Sequence, residues 1–182
     1  MIKDIKRLAA IGCIVSCVAA PYTANARSVI ESLGDYTQVI VPAYAFGMAM
    51  NEDGWDGARQ FAASFVGMEI AVNGLKGVVS EPRPDHSNNR SFPSGHSAAA
   101  FSGATFIHKR YGLTQALIPY AMAAFTGFSR VYADKHWVHD VIAGAAIGSF
   151  LSWTFTSRLD SDADMSLSVA SDGLNFNFKM RF

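Results

Sequence analysis

The sequence predicts an all-α protein, a bundle of helices followed by a candidate β-hairpin. Apolar stretches recur along the chain with short polar breaks, and each is long enough for a helix. Their Ala, Gly, Phe and Ile content, with few β-branched clusters, favours helix over strand. The C-terminal residues instead alternate apolar and polar side chains, the period of a strand.

Composition sets the bounds. A chain of 182 residues has room for one compact domain and little else. Half of its residues are hydrophobic and 16% are charged, against roughly 25% charged in an average domain. Such a chain buries most of its surface, in protein or in lipid. A formal net charge of zero excludes a global field that would recruit nucleic acid.

Residues 1–26 read as a signal peptide. Met1–Arg7 is a basic start, Leu8–Ala20 is apolar, Pro21 breaks the run, and Ala24-Asn25-Ala26 offers an A-x-A cleavage site. The alternative is an uncleaved first transmembrane helix, for which the run is short of the usual span of about 20 residues. Either reading sends the chain to the inner membrane facing the periplasm, or to the periplasm. Cys13 and Cys17 both lie in this segment. Once it is removed there is no thiol for a disulfide framework, a Cys metal site or a Cys nucleophile.

A helical domain is expected over 27–158, with helices at Tyr36–Met50, Phe61–Val79, Ser97–His108, Leu113–Phe128 and Val138–Phe155. Asn51–Gly57 is an acidic, turn-rich break. Lys109-Arg110-Tyr111-Gly112 is a basic one, with Gly112 placed to end a helix. Leu113–Phe128 is uncharged, Val138–Phe155 carries only Asp140, and Ala143-Gly144-Ala145-Ala146 with Gly148 suits close helix packing. These features favour membrane embedding. Against it, most segments fall short of about 18–20 residues, and Phe61–Val79 holds Glu69, Asn73 and Lys76. A water-soluble bundle with a very apolar core stays open. With spanning helices, Lys109-Arg110 would suit a cytoplasmic face, whereas the acidic break on that same face would not. In the tail, 159–182, Met165, Leu167 and Val169 alternate with serines. After Ser171-Asp172-Gly173, Leu174, Phe176, Phe178, Met180 and Phe182 alternate with polar residues, which completes the hairpin pattern.

Three short stretches carry chemistry. In the first, Lys76 ends an apolar helix, and Pro82 and Pro84 stiffen the exit around Arg83; two fixed cations suit a phosphate dianion, which Arg can bind bidentately. In the second, Pro93-Ser94-Gly95-His96, Ser94 is a good helix cap and Gly95 lets a ligand approach the backbone. Free N–H groups at a helix start bind anions, and His96 would stand beside them, able to exchange a proton near neutral pH. In the third, Ser129-Arg130 supplies another cation and His136 stands four residues before Asp140. If His136 begins the last helix, the carboxylate lies one turn on and can hold one imidazole nitrogen protonated, leaving the other free. His139 is expected to point elsewhere. Each stretch alone is more often an ordinary charged loop, capped helix or helix-start pair.

Together the order Lys-x6-Arg-Pro, Pro-Ser-Gly-His, Ser-Arg-x5-His-x3-Asp resembles the signature of the type 2 phosphatidic acid phosphatase family. That superfamily includes lipid phosphate phosphatases, bacterial class A acid phosphatases and vanadium haloperoxidases. Every fixed position is filled, by Lys76, Arg83, Pro84, Pro93, Ser94, Gly95, His96, Ser129, Arg130, His136 and Asp140, and the resemblance spans roughly Gly34 to Phe155.

The resemblance implies an all-α bundle with the site at one end. It implies that Lys76, Arg83, Ser94, Gly95 and Arg130 bind phosphate. His136 would be the nucleophile, forming a phosphohistidine; Asp140 would orient it, and His96 would act as general acid and then base. No cofactor and no metal are implied, and no plausible metal-ligand set is apparent in the sequence. The expected substrate is a membrane lipid phosphate. The alternatives are a soluble periplasmic acid phosphatase acting on small phosphomonoesters and, remotely, a vanadium-dependent haloperoxidase.

Overall fold

Helices form where the apolar stretches predict them, and most run further than those stretches. The computed structural model describes residues 26–159, 163–170 and 173–180; the expected signal peptide, Ala26 apart, lies outside the described residues. The helices are α1 (Ala26–Glu52), α2 (Trp55–Val78), α3 (Gly95–Tyr111), α4 (Leu113–Tyr132) and α5 (Val138–Phe155), followed by strands β1 (Ala163–Ala170) and β2 (Gly173–Met180).

Only α5 has the expected bounds at both ends. The others gain polar turns whose charges find partners. Thus α1 starts at Ala26 rather than Tyr36, and its extra turns carry Arg27, which pairs with Asp134, and Asp35, which lies 2.7 Å from Arg130. The acidic break between α1 and α2 shrinks to Asp53-Gly54, because Gly54 reverses the chain at φ 62°, a region that glycine enters without steric cost.

The central helix is α3. It packs against all four other helices, and its own Ala98, Ala100, Ala104, Phe106 and Ile107 are buried. Phe61, Ala45 and Ala49 close on Phe106 and Ile107, and Met68 and Val72 close on Ala98 and Ala99. Against α5 the contact is backbone on backbone. A Cβ on Gly144 would sit 2.2 Å from the Ser94 carbonyl oxygen, and one on Gly148 would sit 2.2 Å from that of Ala98. The small-residue run read from the sequence therefore serves the α3–α5 crossing.

The end away from the motifs is closed by charge. Arg110 pairs with Asp53, their side chains only 5% and 9% exposed. Arg110 also donates to Gln60 Oε1 at 3.1 Å and to the Ser157 carbonyl at 2.9 Å, and the Tyr111 hydroxyl donates to Asp53 at 2.9 Å. The basic and acidic breaks thus share one end because they neutralise each other.

The hairpin is present, with apolar residues opposite one another: Met165 pairs with Phe178, Leu167 with Phe176 and Val169 with Leu174. Strand β1 packs on α5 and α2, while Leu174, Phe176 and Phe178 of β2 are exposed. No helix among the described residues is long and apolar enough to cross a membrane. The outer faces of α4 and α5 nevertheless expose Leu117, Ile118, Phe128, Ile142, Phe150 and Trp153.

Removing one partner of a buried pair leaves an uncompensated charge. Asp53→Ala is therefore expected to lower unfolding stability by about 3 kcal/mol, measured by chemical denaturation, while activity per folded molecule is unchanged.

Candidate active site

All three motifs meet at the end of the bundle where α2 and α4 finish and α3 and α5 begin. Between α2 and α3 the chain folds back on itself. Glu81 and Arg83 donate their N–H groups to the carbonyls of Asn89 and Asn88, and Ser91 donates to that of Glu81. This return carries Arg83 over the end of α2, where Lys76 donates to the carbonyls of Arg90 at 3.0 Å and Ser91 at 3.4 Å.

Ser94 caps α3 through its Oγ, which accepts from the Ser97 N–H at 3.4 Å. Gly95 then opens the helix. A Cβ there would make only ordinary contact with Val72, 3.7 Å away, so protein packing does not demand glycine at this position.

Arg130 is 3% exposed. It donates to Ser129 Oγ at 3.1 Å, to the Glu31 carbonyl at 2.5 Å and to Asp35 Oδ1 at 2.7 Å. That same Asp35 oxygen lies 3.0 Å from His96 Nε2. Asp35 and the Glu31 carbonyl lie outside the motifs, and Ser129 entered only as a fixed position without a role. A charge at the edge of an apolar stretch is the only sequence signal Asp35 gives.

His136 does not begin the last helix, as the spacing suggested. It lies before the cap, in the turn that follows α4, where its N–H and that of Lys135 both donate to the Arg130 carbonyl. The pairing with Asp140 survives, because the turn folds back on the start of α5. His136 Nδ1 is 3.5 Å from Asp140 Oδ2, a charge contact longer than a hydrogen bond, and both residues are buried. Asp140 Oδ2 accepts from Ser91 Oγ at 2.5 Å and from the Trp137 N–H at 2.9 Å.

His139 does not point away. Its Nε2 lies 2.7 Å from Glu81 and 3.2 Å from Asp140 Oδ1. Glu81, His139 and Asp140 thus bring ligand-type atoms within 4.8 Å of one another, a grouping that spacing in the sequence conceals. His139 Nε2 hydrogen-bonds Glu81, and its approach to Asp140 Oδ1 makes no hydrogen bond.

Burial and like charge set the proton affinities here. Burial, with Arg83 next, brings Lys76 down to about 8. Burial and the Arg130 charge bring His96 down to about 4, and burial with Arg83 and Lys76 does the same to His136. Both imidazoles are therefore neutral at neutral pH. Three buried polar atoms of the site have no hydrogen-bond partner within the protein: Arg83 Nε, His136 Nδ1 and Asp140 Oδ1. Buried polar atoms are rarely left so, and an Arg donor facing a cluster of cations fits an incoming oxyanion.

A bundle end that gathers cations beside a helix start suits a tetrahedral oxyanion. The PAP2 superfamily model matches residues 57–161, and the chain belongs to that superfamily. The lipid A 4'-phosphatase of Helicobacter pylori is 30% identical over 141 residues, 71% of this chain and 71% of that protein. The lipid A 1-phosphatase of Porphyromonas gingivalis is 36% identical over 109 residues, 57% of this chain but only 24% of its own. The chain therefore spans about a quarter of that second relative. Among solved structures, Aquifex aeolicus LpxE superposes with a TM-score of 0.58 at 22% identity, over 73% of this chain and 86% of that one; this likeness concerns the fold. A transmembrane PAP2-type phosphatidylglycerolphosphate phosphatase from Bacillus subtilis gives 0.52 at 27% identity, over 79% of each chain.

Lys76 holds its charge below about pH 8 and loses it as pH rises through that value. A phosphomonoester is already dianionic there, its second pKa being roughly 6. Its affinity, titrated calorimetrically with the His136→Ala variant, is expected to fall above about pH 8. Adding Lys76→Arg should carry the affinity unchanged to higher pH.

Proposed function

We propose that the chain is a phosphatase that hydrolyses a membrane lipid phosphate through a phosphohistidine on His136. The observation that carries this reading is the gathering of Lys76 and Arg83 around a buried, neutral imidazole whose Nδ1 faces a buried carboxylate, with Arg130 beside the second imidazole, His96. Phosphoryl transfer needs charge placed on the equatorial oxygens and one attacker in line. With Nδ1 turned to Asp140, Nε2 of His136 is the attacking atom. It forms a P–N bond as the ester P–O bond breaks, and His96, whose imidazolium the bound phosphate dianion favours, gives a proton to the departing oxygen. His96 then takes a proton from water, which attacks phosphorus and releases phosphate. The Ser94 cap and the Gly95 N–H at the start of α3 complete the oxyanion cradle.

A lipid substrate is favoured by two things. The relatives above act on lipid A, the Helicobacter one over most of its length, and apolar side chains line the outer faces of α4 and α5. Lipid A is accordingly the first head group to test, at an envelope membrane. The second reading, a phosphatase of small soluble esters in the periplasm, draws on the absence of any helix long and apolar enough to cross a membrane among the described residues.

The test is phosphate release, with EDTA present, from micellar lipid phosphates and from a soluble aryl phosphate. Lipid turnover should dominate, survive EDTA, and fall roughly 1,000-fold or more in His136→Ala, as loss of a nucleophile does. Acid-quenched wild-type protein should carry an acid-labile phosphate that the variant lacks. Preference for the soluble ester would establish the second reading, and full activity in His136→Ala would dismiss the mechanism.

A further inference from the structure

We propose that Asp35 is a positioning residue for phosphoryl transfer, holding His96 with the correct nitrogen towards the leaving oxygen. This rests on the reading of His96 as the group that exchanges the proton. Asp35 belongs to α1, outside all three motifs and outside the matched residues 57–161.

One carboxylate oxygen, Asp35 Oδ1, serves two site residues, His96 Nε2 at 3.0 Å and Arg130 at 2.7 Å. The approach of α1 that puts it there is closely fitted. A Cβ on Gly34 would lie 1.8 Å from Ser129 Oγ and 2.8 Å from Arg130 Nη2. Thr37 and Thr126 then join α1 to α4 through their hydroxyls at 2.8 Å. Yet the Asp35 side chain is 47% exposed, so burial alone does not require its bond to His96.

A carboxylate on one imidazole nitrogen keeps that nitrogen protonated and assigns proton exchange to the other. With Nε2 held by Asp35, Nδ1 of His96 is the exchanging atom. A bound phosphate dianion favours the imidazolium, whose Nδ1 proton goes to the ester oxygen as the P–O bond breaks; the neutral ring then receives one from water in the second half-reaction, as the P–N bond breaks. The groups facing His96 are Arg130 from α4, Arg83 from the α2–α3 connection, His136 from the turn before α5 and Asp35 from α1. The two arginines disfavour the imidazolium; Asp35 opposes them.

A general acid matters most for a poor leaving group, which gives the test. The quantity is kcat/KM, which reports on the steps through leaving-group loss, for an alkyl phosphate and for an aryl phosphate. Asp35→Asn should lose roughly 10- to 100-fold on the alkyl ester, the lower range of a general-acid contribution, and only a few-fold on the aryl ester. The alkaline limb of its pH profile should move to lower pH. Asp35→Asn combined with His96→Ala should be no worse than His96→Ala alone, and Asp35→Glu should restore part of the alkyl activity. Equal losses on both esters, or losses that multiply in the double variant, would overturn the proposal and assign Asp35 to Arg130 alone. Should Asp35→Asn fail to fold, Asp35→Glu decides: a leaving-group-dependent loss supports the proposal and a uniform one overturns it. If His96→Ala itself shows no dependence on the leaving group, the reading of His96 fails, a result distinct from either outcome for Asp35.

Discussion

Asp140 is where the three segments of the site are tied together. Its carboxylate, at the start of α5, takes the Ser91 hydroxyl from the α2–α3 connection and the Trp137 N–H from the turn that bears His136. Its backbone carbonyl takes the N–H of Ser94, at the cap of α3. A carboxylate with no solvent exposure is tolerated only when donors surround it, and the N-terminal turn of α5 adds the favourable end of a helix dipole. The bonds to Oδ2 and to the backbone carbonyl of this one residue fix where α3 and α5 begin relative to each other. The anion-binding helix start and the histidine turn are thereby set side by side.

The two ends of the bundle solve the problem of buried charge in opposite ways. At the far end Arg110 and Asp53 neutralise each other, and the result is a closed clasp. At the near end Lys76, Arg83 and Arg130 are brought close to two imidazoles rather than closed into a single ion pair. Burial first, and the neighbouring cations second, lower the proton affinity of Lys76 and of both histidines. In the proposed reaction a phosphate dianion supplies the negative charge there, and Asp140 and Asp35 orient the two imidazoles.

Much of this was legible in the sequence, for identifiable reasons. Residues 138–155 gave α5 with its exact bounds because the helix is apolar throughout, with Asp140 at its head. The hairpin followed from strict alternation on both sides of Ser171-Asp172-Gly173. The three motifs could be joined because each combines a cation or histidine with a helix boundary, and the fold brings the boundaries to one end. What was hidden depends on partners far apart in the chain. The polar first turns of α1 look like a linker until Arg130 and Asp134 are placed opposite them. Asp53 and Arg110, 57 positions apart, read as two loops until paired. His139 was read as facing away from the site because adjacent helix positions usually diverge, whereas the first turn of α5 lets it reach the second oxygen of Asp140.

The glycines of α5 have a mechanical consequence. Where Gly144 and Gly148 meet the Ser94 and Ala98 carbonyls there is no room for a methyl group, and close-packed backbones neither slide nor rotate without first separating. The spacing between the Gly95 amide and the His136–Asp140 pair is therefore stiff, and a bulkier head group cannot widen it. Where α1 crosses α3 the fit is also close, a Cβ on Gly103 coming to 3.0 Å from the Pro42 backbone. Any adjustment to a bulkier group would therefore fall to the α2–α3 connection, which closes on itself through its own backbone hydrogen bonds.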